Sequence, residues 1–156
     1  MVKFRTIGGG HRSVPFLLWI TGVTSLIFGE PVYNQGGICR GDISKKAVAL
    51  VFTGGYHGEG TEYILDILKE KQAIGGFFLT GDYLRTAAFK PGIQRMIRED
   101  HYIGAHSDKH PKYVKSFSSK GTLISRREFI EDLDRNFAEL NSFGISRDQA
   151  TFFIPP

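Results

Sequence analysis

The stretch that decides the fold spans residues 47–81, AVALVFTGGYHGEGTEYILDILKEKQAIGGFFLTG. It opens with AVALVF (47–52), a short apolar run typical of a strand that is buried on both faces. TEYILDILKEKQ (61–72) follows as an amphipathic helix, and AIGGFFLTG (73–81) as a second strand. The apolar face of this helix is formed by Tyr63, Ile64, Ile67 and Leu68. The stretch therefore predicts a β-α-β unit with parallel strands.

The same alternation continues along the chain. KPGIQRMIRED (90–100) predicts a helix with Pro91 in its first turn, and HYIGAHS (101–107) predicts a third strand. Ser125 and Glu128 match a capping box, and the helix that they open carries an apolar stripe. That stripe consists of Phe129, Leu133, Phe137 and Leu140.

The last predicted elements complete the fold class. Gly144 is a plausible end for the capped helix, and ATFFIPP (150–156) predicts the start of a fourth strand. Four parallel strands with helices between them make an α/β fold, either an open sheet or a barrel.

Composition limits the function classes. The 156 residues suffice for one domain with a real core, and 41% apolar with 23% charged residues is ordinary for a globular protein. The net charge of +4 comes from scattered residues, so no nucleic-acid partner is predicted. Cys39 is the single cysteine, which excludes an internal disulfide.

The N-terminal segment differs from the rest. Lys3, Arg5 and Arg12 precede PFLLWITGVTSLIF (15–28), and a basic region before a short apolar one is the pattern of a secretory signal. The run is short for a membrane span. We expect residues 1–30 to direct export to the periplasm, cell envelope or medium; an uncleaved anchor and a buried core segment are the alternatives.

His106 and His110 lie four residues apart, directly after the third predicted strand. In parallel β/α folds, chemistry collects in the loops after the carboxyl ends of the strands. Residues 53–55 and the prolines Pro155 and Pro156 follow two other predicted strands, so three segments are expected at one rim. By itself an HxxxH pattern is loose, and a metal site and a plain polar loop both stay open.

Four segments together resemble a known family. VALVFTGGYHGEGTEYILDIL (48–68), GGFFLTGDYLR (75–85), YIGAHSDKHPKY (102–113) and TFFIPP (151–156) look like the polysaccharide deacetylases of the NodB-homology type. The most specific parts are the His-Ser-x-x-His element and the FFLTG strand.

The resemblance implies a partial, distorted (β/α) barrel over residues 45–156 and a metal-dependent hydrolase that removes acetyl groups from polysaccharides or oligosaccharides. One divalent metal, commonly zinc, is held in that family by two histidines and an aspartate. His106 and His110 match the histidine positions, and Pro155 and Pro156 match a segment at the substrate rim. Such an ion polarises the acetyl carbonyl and lowers the pKa of bound water.

The sequence departs from the family pattern at several positions. The family motif Thr-Phe-Asp-Asp-Gly supplies a general base and a metal ligand, and here Thr53 and Gly54 stand at those positions. Ile154 replaces an arginine that usually precedes the prolines. Later family segments have no counterpart, so we expect the chain to be the N-terminal part of a longer domain.

Nearby side chains offer replacements. We hypothesise that Glu59 or His57 supplies the lost metal ligand, because flanking glycines let the loop fold back towards the rim; solvated loop residues are the alternative. Asp82 is expected to cap a turn rather than orient a histidine, and Asp108 is expected to point to solvent.

Two rival functions remain at this stage. The chain is either a deacetylase-like hydrolase that rebuilt its site, or a catalytically inactive carbohydrate-binding or structural descendant; a non-functional gene fragment is a third possibility. Catalysis requires a replacement base. Tyr102, Tyr113 and Phe117 are expected to serve packing more than sugar stacking.

Overall fold

The computed structural model describes residues 31–34, 36–116 and 121–156. The predicted export segment, residues 1–30, and Phe117 lie outside the described residues. The chain divides into two compact units, residues 1–46 and residues 47–156. In the first unit, strands β1 (Val32–Asn34) and β2 (Gly37–Arg40) form an antiparallel pair that the sequence reasoning did not anticipate.

The second unit is built on a three-stranded parallel sheet. Its strands are β3 (Val51–Gly54), β4 (Gly76–Leu79) and β5 (Tyr102–Ala105), in the order β3-β4-β5. Gly54 pairs in register with Leu79, and Leu79 with Ala105, so the carboxyl ends of all three strands lie at one rim.

Helices connect these strands as the alternating pattern predicts. Helix α1 joins β3 to β4, helices α2 and α3 with a short 3-10 turn join β4 to β5, and α4 follows β5. Their bounds are α1 (Thr61–Glu70), α2 (Gly81–Arg85), the 3-10 turn (Ala87–Phe89), α3 (Lys90–Arg98) and α4 (Arg126–Ser142).

The core lies between the sheet and the helices. Strand β4 supplies Phe77 and Leu79, both almost completely buried, and the helices cover them with aliphatic side chains. Those side chains are Leu65, Leu68, Leu84, Ile93, Met96 and Leu140. Burial of each such side chain contributes about 1.5–3 kcal/mol, which makes this layer the main source of stability for residues 47–156.

The first strand differs from its prediction. It covers Val51–Gly54 instead of 47–52, and it is not buried on both faces, since Val48 is 86% exposed and Val51 is 48% exposed. The reason is its place in the sheet: within the described residues β3 pairs only with β4, so one edge lacks a neighbouring strand.

The buried face of α1 is also rotated from the prediction. Leu65 and Leu68 are buried, whereas Tyr63 and Ile67 are exposed. Tyr63 and Ile67 were therefore wrongly assigned to the core face. The helix turns Leu65 inward because α1 packs against α3, and Leu65 shares one buried cluster with Ile93.

The predicted fourth strand is reduced to a single bridge between Ala105 and Phe153. The N–H of Ile154 donates to the Ala105 carbonyl at 3.2 Å, but the N–H of Phe152 donates to the Tyr102 hydroxyl at 2.7 Å. Because a side chain takes that N–H and Pro155 has none, a regular ladder does not form.

The helix boundaries agree with their sequence signals. Pro91 lies in the first turn of α3, and Gly144, with φ of +80°, follows the end of α4. The Ser125 hydroxyl accepts from the Glu128 N–H at 3.2 Å, and the Glu128 carboxylate accepts from the Ser125 N–H at 2.7 Å. Within the described ranges, no helix combines the length and apolar character needed to cross a membrane.

The capping box gives a first prediction. Ser125→Ala removes the acceptor for the Glu128 N–H, and we expect the free energy of unfolding to fall by about 1 kcal/mol in urea titration. Glu128→Gln is the matched control, because glutamine also closes a capping box. A Ser125→Ala variant as stable as the parent would show that the cap contributes nothing.

Candidate functional site

His106 lies directly after β5 with its ring buried at the rim. Its Nδ1 is 2.8 Å from the carbonyl oxygen of Ile154. That carbonyl only accepts hydrogen bonds, so Nδ1 donates and Nε2 carries the free lone pair. The ring of the exposed His110 meets it edge-on, with 4.9 Å between centroids and 75° between planes. The structure thus brings the two predicted histidines together.

The loop that carries both histidines has an unusual backbone. Ser107 and His110 adopt φ values of +74° and +55°, which non-glycine residues rarely adopt. The Ser107 hydroxyl donates to the Asp132 carboxylate at 2.6 Å and accepts from the His110 N–H at 3.0 Å. These two bonds hold a conformation that costs about 1–3 kcal/mol for each strained residue.

Helix α4 supplies two polar residues that sequence reasoning missed. Asp132 accepts from the Ser107 hydroxyl, the Asp108 N–H at 2.9 Å and the Lys109 N–H at 3.1 Å. Asn136, one helical turn later, accepts from the His106 N–H at 3.1 Å. Both side chains are buried. One feature of the sequence could have identified them: positions 132 and 136 both fall on the apolar face of this helix.

Asp108 does not point to solvent as predicted. It is 1% exposed, and its carboxylate pairs with Arg85 Nη1 at 2.7 Å and with Arg135 Nε at 3.3 Å. The prediction failed because a loop aspartate is normally solvated, whereas two arginines from different helices compensate this one. Asp108 therefore fixes the histidine loop against α2 and α4.

Asp82 also has a different role from the predicted turn cap. Thr80 caps α2, since its hydroxyl accepts from the Tyr83 N–H at 3.1 Å. Asp82 instead accepts from Arg85 at 2.8 Å and from the Lys109 ammonium. Burial is the largest single influence on Asp82 and raises its pKa, but the hydrogen bonds and charges of Arg85 and Lys109 together outweigh it and lower the pKa below its usual value.

His57 and Glu59 lie on the loop after β3, and both side chains are largely exposed. His57 Nδ1 is 3.9 Å from Glu59 Oε2, which accepts from the Gly58 N–H at 3.0 Å. Backbone hydrogen bonds to Glu59 lower the pKa of its carboxyl. In residues 31–34, 36–116 and 121–156, no three His, Cys, Asp or Glu side chains cluster as a metal site. The third ligand stays a prediction.

The space beside Gly54 is occupied. A Cβ at this position would lie 2.7 Å from Leu79 Cδ2 and 2.9 Å from Tyr83 Cδ2. Tyr83 is itself buried, with its hydroxyl 2.7 Å from Thr61 Oγ1. An aspartate at Gly54 would therefore require these side chains to move. Beside it, Thr53 borders a cavity of about 140 Å³ whose rim includes His57 and Glu59.

The imidazole rings of His106 and His110 are suited to serve as two of the protein ligands of a divalent ion. A histidine that ligates a metal usually donates its other ring N–H to a carbonyl or carboxylate, and His106 already does so through Ile154. Burial lowers the pKa of His106, which favours the neutral ring that binds metals. Residues His106 and His110 would hold such an ion.

Two of the three aromatic residues singled out from the sequence make packing contacts in the described structure. Tyr102 contacts Phe152 with 5.8 Å between ring centroids, and Tyr113 contacts Phe129 with 5.4 Å. Pro155 and Pro156 follow the carbonyl of Ile154 that fixes His106. The rim therefore joins the histidine loop and the C-terminal segment of the described chain.

A buried histidine at the other end of β5 gives a pH prediction. His101 accepts from the Gly75 N–H at 3.3 Å, and burial lowers its pKa despite Glu99 nearby. The unfolded chain then binds this proton at higher pH than the folded chain, so stability falls as pH drops below about 6.5. We expect His101→Asn to lose less stability than the parent between pH 7 and 5 in urea titrations. Parallel losses would contradict this.

Comparison with known proteins identifies relatives. The polysaccharide deacetylase family model matches residues 40–156. A 30.6 kDa protein of Geobacillus stearothermophilus is 40% identical over 105 residues, 67% of this chain and 36% of that protein. The peptidoglycan-N-acetylmuramic acid deacetylase PdaA of Bacillus subtilis is 38% identical over 71 residues, 46% of this chain and 26% of that protein.

Solved structures agree with this. A family 4 carbohydrate esterase from Bacillus anthracis superposes with a TM-score of 0.57 and 32% identity, covering 74% of this chain and 50% of that chain. The chain thus spans half or less of the length of these relatives. The predicted fold class, a partial (β/α) barrel, is confirmed. The family match covers three quarters of the sequence, and the chain belongs to the polysaccharide deacetylase family.

Proposed function

We propose that this chain acts on acetylated carbohydrate as part of a metal-dependent deacetylase, with peptidoglycan as the first substrate to test. Relatives named as peptidoglycan deacetylases support this choice, including PdaA and the peptidoglycan-N-acetylglucosamine deacetylase of Bacillus cereus, 37% identical over 75 residues. The reaction is hydrolysis, in which water adds to the acetyl carbonyl and acetate leaves the sugar.

One observation carries the proposal: the close, preoriented pair of His106 and His110 at the carboxyl rim of the sheet. We propose that the pair holds a divalent metal, zinc by preference, because imidazole nitrogen is a common zinc donor. When bound, such an ion supplies Lewis acidity towards the acetyl carbonyl and lowers the pKa of coordinated water.

The remaining roles belong to the chain's own residues. The Ile154 carbonyl accepts the Nδ1 proton of His106 and so leaves the lone pair of the neutral ring on Nε2. Pro155 and Pro156, which follow it, are proposed to border the bound sugar. Thr53 has no group that takes up a proton at neutral pH, so a base must come from elsewhere. Between the exposed His57 and Glu59 we favour His57, because imidazole as a residue type takes up a proton near neutral pH and a carboxylate does not.

Export fits the same proposal. The basic and apolar segments within residues 1–30 have the pattern of a secretory signal, and an exported protein reaches cell-envelope polysaccharide. Fractionation of producing cells tests this: we expect the protein outside the cytoplasmic fraction. Retention of the full chain in the cytoplasm would contradict the proposed export.

A second candidate function is carbohydrate binding without catalysis. The observation that favours it is the occupied space at Gly54, where Leu79 and Tyr83 lie where a ligand aspartate would extend. In this case the rim would recognise acetylated sugar and leave it unchanged. The two candidates differ in one measurable product, acetate.

The proposed third ligand gives another prediction. If Glu59 completes the metal site, Glu59→Ala should weaken zinc binding at least tenfold in calorimetric titration, since a donor is lost. Glu62→Ala is the matched control, because Glu62 lies on α1, where its carboxylate pairs with Arg95. Equal zinc affinity in Glu59→Ala and the parent would remove Glu59 from the site, and the same titration of His57→Ala then tests the imidazole.

The proposed activity is tested with the full chain and acetylated substrates. Purified protein is loaded with zinc and incubated with peptidoglycan fragments and with N-acetylglucosamine oligomers, and released acetate is measured. Acetate that disappears in a His106→Ala variant supports hydrolysis. Retained sugar binding with no acetate supports the binding function, and neither acetate nor binding contradicts both.

A further inference from the structure

We infer that Asp132 and Asn136 on α4 are positioning residues that set the relative placement of His106 and His110. The inference rests on the proposed function, since it assigns a purpose to the geometry of that pair. Both residues lie on α4, outside the four segments that resemble the family. The contacts that support the inference all lie within the described residues.

Asn136 fixes the first histidine. Its Oδ1 accepts from the His106 N–H at 3.1 Å, and its Nδ2 donates to the Leu79 carbonyl at 3.0 Å. Leu79 ends β4 and His106 follows β5, so one amide joins the ends of two neighbouring strands. The His106 N–H also lies 3.3 Å from the Leu79 carbonyl, so the fully buried Asn136 reinforces the link that fixes where the His106 backbone leaves the sheet.

Asp132 fixes the second histidine through Ser107. The carboxylate holds the Ser107 hydroxyl at 2.6 Å, and that hydroxyl accepts from the His110 N–H at 3.0 Å. The remaining bonds of Asp132 go to the backbone N–H groups of Asp108 and Lys109. These three hydrogen bonds of the carboxylate all end on residues between the two histidines, and Arg135 Nη2 lies 3.8 Å from it.

Burial of the polar side chains of Asp132 and Asn136 costs free energy, and what it achieves is a fixed geometry of the histidine loop. Asp132 and Asn136 are 3% and 0% exposed, at helix positions where apolar side chains would pack without polar desolvation. The loop that they hold contains two strained residues, Ser107 and His110. Strained backbone that the surroundings enforce is typical of sites where side-chain placement decides function.

The test uses variants that cut the proposed chain of contacts. Asp132→Asn replaces one carboxylate oxygen by an amide nitrogen, which does not accept hydrogen bonds from the three donors that surround Asp132. Ser107→Gly removes the hydroxyl, and glycine tolerates the positive φ at this position. Asp134→Asn is the matched control on the same helix, because Asp134 is exposed and pairs with Arg147 at 2.6 Å. Two readouts apply to the full chain: zinc affinity by calorimetry, and NOE contacts between the His106 and His110 rings without metal.

We expect Asp132→Asn and Ser107→Gly to weaken zinc binding about 10- to 100-fold and to lose the ring-to-ring NOEs, with the far-UV circular dichroism of the parent. Asp134→Asn should match the parent in both. If Asp132→Asn fails to fold, the zinc affinity and ring-to-ring NOEs of Ser107→Gly test the inference. Parent-like NOEs in Ser107→Gly would overturn the inference.

The two proposals fail in different ways. A parent that binds no zinc but shows the NOEs would refute the metal site, and the NOEs of the variants would still decide on positioning. A parent that binds zinc, with variants equal to it in affinity and NOEs, would refute positioning and leave the metal site intact.

Discussion

We expect His106→Ala to weaken zinc binding more than about 100-fold, the largest loss of affinity for any substitution considered. Removing this ring takes away one of two preoriented donors, whereas changes to groups that only orient ligands typically cost 10- to 100-fold. His106 is buried at the end of β5, and its ring contacts the Ile154 carbonyl at 2.8 Å. Calorimetric titration with zinc at pH 7 measures the effect.

The control for this substitution lies in the same loop. Lys109→Ala removes an exposed ammonium that contacts Asp82 but leaves the Lys109 N–H bonded to Asp132. We expect zinc affinity close to that of the parent. Equal affinities in His106→Ala and Lys109→Ala would mean that zinc binds elsewhere or only through other residues.

The second large effect is on stability. A Cβ at Gly81 would lie 1.8 Å from Asp108 Oδ1, so Gly81→Ala forces that carboxylate out of its place. Asp108 is buried and compensated by Arg85 and Arg135, and disrupting a buried ion pair costs about 3–5 kcal/mol. We expect a loss of about 3 kcal/mol or more in the free energy of unfolding, measured by urea titration.

A matched glycine controls for the change in backbone entropy. Gly55 has no atom within 4 Å of an added Cβ, and its φ is not positive. Gly55→Ala should therefore leave stability near that of the parent or raise it slightly. If both alanine variants unfold at the same urea concentration, the close packing of Asp108 over Gly81 is not present in solution.

The sequence predicts the fold where local signals and packing agree. Capping at Ser125, the proline in the first turn of α3 and the glycine after α4 act within a few residues, and all three agree with the structure. The existence of the central strand β4 is also confirmed, because an apolar run such as GFFL suits a strand with neighbours on both sides, although it covers Gly76–Leu79 instead of the predicted 73–81. The edge strand β3 and the C-terminal bridge depend on their neighbours, and their predictions were wrong.

The candidate site likewise has one part that was predicted from the sequence and one part that depends on contacts between distant residues. The position of His106 at the rim follows from strand order, whereas its pairing with His110 was implied by the family resemblance; the structure places both rings together. The burial of Asp108 depends on Arg85 and Arg135, and the roles of Asp132 and Asn136 depend on how α4 packs against β5. Such contacts join residues 20 or more positions apart, which local patterns do not encode.

The proposed function requires that His106 and His110 bind one metal ion together. Crystals of the full chain soaked in zinc, measured on both sides of the zinc absorption edge, test this. We expect a single strong anomalous peak within bonding distance of imidazole nitrogens of both residues. Absence of a peak at this pair, or a peak bound elsewhere while the two rings turn apart, would contradict it.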